Sequence, residues 1–107
     1  MTPKLGQAIS IEQLKAVNTA NGYHFFSAGS MRFFRSRVGS NVYPAADGWV
    51  FVTSEQFDDN SPRLYTVRIM REDGSIDEIG EFQQYKTSDA ANRAARAYAA
   101  EFPHVEA

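Results

Sequence analysis

The fold is set in the middle of the chain, by residues 48–71, which read GWVFVTSEQFDDNSPRLYTVRIMR. The first six of these residues are rich in β-branched and aromatic side chains, which favour strands. From Arg63 to Arg71 the side chains alternate with a period of two, which is typical of a strand. The polar residues 56–62 between the two runs predict an exposed loop. The pattern therefore predicts two strands joined by a polar connection.

Two turn signals extend this sheet in both directions along the chain. Asp47-Gly48 follows a short strand-like run at residues 41–44, and Asp-Gly between two such runs is a strong hairpin signal. Asp73-Gly74 predicts a second hairpin, in which residues 75–83 return as the partner strand. Together these signals predict three or four antiparallel strands.

Helix signals flank the sheet region on both sides. Ser10 and Gln13 have the spacing of a capping box, and apolar residues follow at helical spacing as far as Asn21-Gly22. Near the other end, six of the ten residues 91–100 are alanine, and Thr87 or Ser88 is placed to cap that helix. No helical segment connects one strand to the next. We therefore predict an α+β fold: an antiparallel three- or four-stranded sheet with a short N-terminal helix and an alanine-rich C-terminal helix packed on one face.

The composition narrows the class of protein. The 107 residues include 43% apolar and 22% charged side chains, which is ordinary globular usage and fits a single domain over residues 1–107. Residues 1–8 and 103–107 are expected to be flexible tails. The chain has no cysteine, which excludes disulfides, thiolate metal sites and cysteine nucleophiles. The chain shows neither a signal-peptide pattern nor eighteen consecutive apolar residues, so we expect a cytoplasmic protein without membrane contact.

Charge is divided unevenly along the chain. The net charge of −2 argues against a general polyanion-binding domain. Residues 1–43 carry five basic side chains and one acidic side chain, whereas residues 44–107 carry six basic and twelve acidic side chains. Surfaces of opposite sign provide the electrostatic complementarity that steers and selects protein partners. The split therefore favours a protein partner.

One segment, residues 31–38 with the sequence MRFFRSRV, combines positive charge with aromatic rings. Arginine binds phosphates in a planar, two-pronged manner and aromatic faces stack on bases, so the segment is suited to single-stranded nucleic acid. The structural alternative is that the phenylalanines are core residues and the arginines pair with the acidic C-terminal half. A short helical turn capped by Ser27 or Ser30 is expected here. The candidate binding residues are Tyr23, Arg32, Phe33, Arg35 and Arg37.

Residues suited to catalysis are few. A hydrolase would need His24 beside a serine such as Ser27, oriented by a carboxylate, and no elbow-type glycine pattern surrounds that serine. Glu55, Asp58 and Asp59 are expected to share one solvated loop, which lacks the spaced ligands of a calcium loop. We therefore expect no catalytic residue, no metal ion and no cofactor, with a small hydrolase kept as an alternative.

Four segments, in order along the chain, resemble a family of small uncharacterised proteins found in bacteria, phages and plasmids. They are residues 22–26, 31–37, 51–56 and 80–85. The resemblance covers roughly residues 20–100. It implies a small accessory protein of bacterial or mobile-element origin, and it carries no catalytic residue over to this chain.

These observations lead to one functional expectation. The chain is expected to be a non-enzymatic binding module that contacts another macromolecule, with a protein partner favoured. The alternative is a nucleic-acid-binding protein that uses Arg32, Arg35 and Arg37 together with the neighbouring rings. The oligomeric state is left open.

Overall fold

A computed structural model describes residues 3–23 and 37–101, and these residues form two helices and four strands. The predicted helical turn after Ser27 or Ser30, the residues Arg32, Phe33 and Arg35, and the predicted tail at 103–107 lie outside the described residues. In chain order the elements are α1 (Ile11–Ala20), β1 (Arg37–Ala45), β2 (Gly48–Glu55), β3 (Leu64–Met70), β4 (Ile76–Ile79) and α2 (Ser88–Glu101).

The four strands form one antiparallel sheet in the order of the sequence. Both predicted hairpins are present, because β1 pairs with β2 and β3 pairs with β4. The polar connection after Glu55 joins β2 to β3 as a third antiparallel pair. The α+β prediction is thus confirmed, with four strands.

Glycine is required where the first hairpin approaches the next strand. Gly48 has a φ angle of +156°, and a Cβ atom there would collide with the carbonyl oxygen of Met70. A side chain at this position would therefore push β2 away from β3. Gly74, in the turn between β3 and β4, has a φ of +88° and lies against Asn21 just after α1. This contact fixes the end of α1 at that turn.

The two helices cover opposite faces of the sheet. All eight residues of β2 are buried, and successive side chains point to opposite faces. Trp49 and Phe51 belong to the core cluster that contains Leu14 of α1. Val50 and Val52 belong to the cluster that contains Ala91 and Ala95 of α2. The sheet is therefore the middle of three layers, with one face covered by α2 as predicted and the other covered in part by α1.

Two strands differ in length from the sequence prediction. β1 continues through Gly39 and Ser40, where a break was expected, although its pairing with β2 is irregular between Val38 and Val42. β4 ends at Ile79 because the chain then turns through left-handed conformations at Gly80 and Gln83.

Part of the predicted N-terminal tail contributes to the core. Leu5 packs against the α1 cluster, and the carbonyl oxygen of Gln7 accepts a hydrogen bond of 2.8 Å from the indole Nε1 of Trp49. Residues 5–7 thereby help to cover the face of the sheet that packs against α1. In the described part of the chain, no helix has the length and apolar character needed to cross a membrane.

Candidate functional site

The structure places two of the five predicted binding residues, and it separates them. Tyr23 follows α1, and its backbone N–H donates to the carbonyl of Asn18, whose side-chain amide reaches Gly74 in the β3–β4 turn. Arg37 begins β1 at the other end of the sheet, opposite Ser54. About five residues of strand, or roughly 17 Å, separate these ends. Tyr23 and Arg37 therefore do not form one cluster.

Arg37 instead belongs to a row of side chains across three strands. Arg37 pairs with Ser54 on β2, and Ser54 pairs with Tyr65 on β3. Residues opposite one another in a sheet project to the same face, here the face that α2 covers. The irregular pairing in β1 produces this row, because a regular ladder from the first hairpin would put Gly39 opposite Ser54.

The first residues of α2 lie beside this row and complete a cleft of about 170 Å³. Ser88 and Asn92 line it from the helix, and Arg63 lines it from the chain just before β3. The remaining described lining residues are Val38, Gly39, Val52 and Thr53 together with Arg37, Ser54 and Tyr65. We call this site the arginine cleft.

Hydrogen bonds fix two walls of the arginine cleft. An NH1 group of Arg63 donates to the hydroxyl of Ser54 at 2.9 Å, and Ser54 is only 5% exposed. Asn92 donates to the carbonyl and hydroxyl oxygens of Ser88 and accepts from the Tyr43 hydroxyl at 2.9 Å. The side chains of Arg63 and Asn92 are therefore positioned before any ligand arrives.

Arg37 differs electrostatically from two other arginines of the sheet. Arg71 forms ion pairs with Asp47 at 3.1 Å and Asp77 at 3.2 Å, and its hydrogen bond to Asp77 raises its pKa. Arg68 forms a longer ion pair with Glu78 at 3.6 Å. Arg37 is exposed, and no carboxylate among residues 3–23 and 37–101 lies within ion-pair distance of it. Its guanidinium is thus available to a ligand.

A second polar group, on the α1 face, was not predicted. Glu55 was expected in a solvated loop, and that prediction is wrong because Glu55 ends β2 and is 3% exposed. Its Oε1 accepts a hydrogen bond of 2.9 Å from Thr66, and the Thr66 hydroxyl accepts one of 2.8 Å from the backbone N–H of Gln83. These bonds tie the segment after β4 to the sheet.

Arg68 lies in the same polar group. Its Nε donates to the Thr53 hydroxyl at 2.8 Å, and its guanidinium carbon is 5.8 Å from the centre of the Phe82 ring. Burial lowers the pKa of Arg68, and the charges of Glu55 and Glu78 oppose that change. The group joins residues 51–56 to residues 80–85, two of the segments that carry the family resemblance. Its bonds are made within the chain, which marks it as a structural element.

The hydrolase alternative depends on His24, which lies outside the described residues. Within the described ranges, histidine, aspartate and glutamate side chains do not form a group of three or more that could hold a metal ion. The sequence patterns did not predict Arg63, Ser54 and Ser88 as cleft residues, because only the strand register and the position of α2 bring them together.

The fold and the arginine cleft define a small α+β domain with a polar cleft at one end of its sheet. The model of DUF7447, a family of unknown function, matches residues 10–96, and the chain belongs to this family. The match spans α1, the four strands and most of α2. The resemblance to an uncharacterised family is thereby confirmed. No curated protein and no solved structure matches the chain.

Proposed function

We propose that this domain is a non-enzymatic binding module that holds an acidic group of a protein partner in the arginine cleft. One observation carries the proposal: Arg37 and Arg63 line the same cleft as the buried Ser54. Arginine is suited to this role because its planar fork matches a carboxylate or phosphate and remains charged at every physiological pH.

Preorganisation supports a binding role for the cleft. The Arg63 guanidinium is held by Ser54, and the cleft wall at Asn92 is held by Ser88 and Tyr43. Side chains that are already ordered lose less conformational entropy when a ligand binds. Two of the polar side chains that line the cleft are therefore ordered before a ligand binds.

Size and charge favour a protein partner over a nucleic acid. A cleft of about 170 Å³ holds one small anionic group, whereas a nucleic acid needs a basic track along several phosphates. The opposite end of the sheet, at the β3–β4 hairpin, carries exposed Glu72, Asp73 and Asp77, so a basic track does not continue from the cleft to that end. In our proposal the module belongs to a bacterium or mobile element, as the resemblance implies, and acts in the cytoplasm, as expected from the sequence.

The test is affinity capture from the cell of origin with the wild type, Arg37→Ala and Arg96→Ala. Arg96 is an exposed arginine of α2 outside the cleft, so its variant removes the same charge elsewhere. We expect one protein to be retained by the wild type and Arg96→Ala, to be lost from Arg37→Ala, and to survive nuclease treatment. The same ranking is expected in a calorimetric titration with the purified partner.

Two results would overturn this proposal. Equal retention of every partner by the wild type and Arg37→Ala would show that the cleft does not bind it. Loss of all Arg37-dependent material after nuclease treatment would assign the cleft to nucleic acid. A steep fall of the affinity with added salt would then be expected, because phosphate contacts release counterions.

A further inference from the structure

We infer that the acidic group held in the arginine cleft is a phosphate monoester, as on a phosphorylated side chain of the partner. This inference rests on the proposed function and adds the chemical class of the bound group. It depends on the hydrogen-bond donors that line the cleft, on the lack of acidic side chains in the described lining, and on the charge that the donors can match.

The described lining of the cleft is rich in hydrogen-bond donors. Arg37, Arg63, Tyr65 and Ser88 line it, and each of these side chains carries a hydrogen-bond donor. The Ser88 oxygen already accepts from Asn92, so its own hydrogen is the part left to donate. None of the described lining residues is acidic, and Asp89 in the first turn of α2 is exposed and outside the lining. Such a surface is matched to a ligand made of acceptors.

The number of acceptors distinguishes the possible anions. A carboxylate carries one charge on two oxygens, and a single arginine fork can satisfy both. A phosphate monoester carries nearly two charges on three terminal oxygens. Arg37 lies opposite Ser54 on β1, Arg63 donates to Ser54 from the β3 side, and Tyr65 and Ser88 are two further lining residues that carry hydroxyl groups. This arrangement fits three oxygens better than two.

Charge and connectivity favour a monoester over a diester. Val52 lines the cleft and belongs to the same buried cluster as Ala91 of α2, so this part of the lining is apolar and belongs to the core. A phosphate monoester presents three terminal oxygens to the donors of the cleft. A phosphodiester continues on both sides of the phosphorus and carries only one charge, which leaves donors of the cleft unmatched.

The experiment is a titration of the ¹⁵N-labelled full chain, followed by NMR, with four probes. The probes are a Gly-Gly-phosphoserine-Gly-Gly peptide, the same peptide with glutamate in place of phosphoserine, inorganic phosphate, and a single-stranded thymidine oligonucleotide. We expect the phosphoserine peptide to bind about tenfold more tightly than the glutamate peptide, with shifts centred on Ser54, Tyr65 and Ser88.

Three variants test the role of the arginine. Arg37→Ala is expected to weaken the binding of the phosphoserine peptide by about tenfold, because it removes charge-assisted hydrogen bonds. Arg37→Lys keeps the charge without the fork and is expected to show a smaller loss. Arg96→Ala is the matched control and is expected to bind as the wild type does. The amide spectrum of each variant shows directly that it is folded.

The outcomes separate this inference from the proposed function. Equal affinity for the glutamate and phosphoserine peptides, lost in Arg37→Ala, overturns the phosphate and leaves the acidic protein partner standing. If inorganic phosphate binds as tightly as the phosphoserine peptide, the ligand of the cleft is the free ion, and the protein-borne phosphate is overturned. Binding of the oligonucleotide alone, or of no probe, overturns both proposals.

Discussion

The two faces of the sheet are covered by helices over fully buried side chains of different size. On the α1 face, Trp49 and Phe51 reach up to a helix of ten residues. On the α2 face, Val50 and Val52 lie under alanines of a helix of fourteen residues. Small alanines let a helix lie close to a sheet, and tyrosines such as Tyr43 and Tyr98 pack around that contact. The fully buried core of the α1 face therefore contains larger side chains than that of the α2 face.

The faces differ again at the end of β2. Ser54 points toward α2 and lines the arginine cleft, while Glu55, one residue later, points to the other face and is enclosed by Thr66. The enclosed group has its hydrogen bonds within the chain, whereas no carboxylate among residues 3–23 and 37–101 lies within ion-pair distance of Arg37 beside the cleft. Neighbouring polar residues thus take different roles because β-strand alternation sends them to different faces.

The largest expected effect is the loss of a large ring from the α1 face. Trp49→Ala removes a fully buried side chain and the hydrogen bond to Gln7, so the free energy of unfolding should fall by about 3–5 kcal/mol. Val50→Ala, the neighbour on the α2 face, should cost about 2 kcal/mol because less volume is removed. Urea unfolding followed by circular dichroism measures both. A Val50→Ala cost equal to that of Trp49→Ala would refute the difference between the faces.

The next effect concerns the buried polar group of the α1 face. Thr66→Val keeps the shape but leaves the carboxylate of Glu55 and the N–H of Gln83 each without a partner, which should cost about 1–3 kcal/mol. Thr19→Val, at an exposed position of α1, is the control and should change stability by less than about 0.5 kcal/mol. Urea unfolding again gives the values. Equal stability of Thr66→Val and wild type would show that Glu55 and Gln83 are satisfied in another way.

Local signals in the sequence were sufficient for most of the fold. Ser10 and Gln13 form the capping box that their spacing predicts, with bonds of 3.1 and 2.8 Å. The turn residues Asp47-Gly48 and Asp73-Gly74 lie at the predicted hairpins. The burial of Glu55 was missed because its enclosing partners Thr66 and Gln83 are distant in sequence, and the polarity of the segment alone indicates a loop.

The arginine cleft could be predicted only in part. Arg37 was identified from its basic, aromatic segment, but its neighbours depend on register. A regular ladder would pair Ser54 with Gly39, and the irregularity between Val38 and Val42 moves Arg37 into that position. Gly39-Ser40 in the sequence does signal a disturbance there, but it does not indicate by how many residues the pairing shifts.

A smaller effect is expected at a polar contact between α2 and the sheet. The Tyr98 hydroxyl donates to Asp47 at 2.8 Å, and Arg71 donates to the same carboxylate oxygen. Tyr98→Phe should lower the free energy of unfolding by about 0.5–1.5 kcal/mol, the usual net value of one hydrogen bond. Tyr23→Phe, at a tyrosine that is 42% exposed, should leave stability unchanged when measured in the same way. If both variants behave alike, the contact to Asp47 does not help to hold α2.

The smallest expected effect is the pH dependence of the contact between Tyr98 and Asp47. Burial, with the hydrogen bond to Asp47, raises the pKa of Tyr98 above its ordinary value of about 10. Above about pH 10 the unfolded chain therefore loses this proton first, so the folded state binds more protons and stability falls as the pH rises. The stability difference between wild type and Tyr98→Phe should be complete below about pH 10 and should shrink above it. Urea unfolding of both proteins at about pH 8 and about pH 11 measures this, and a difference that stays constant would mean that Tyr98 ionises equally easily in the folded and unfolded chain.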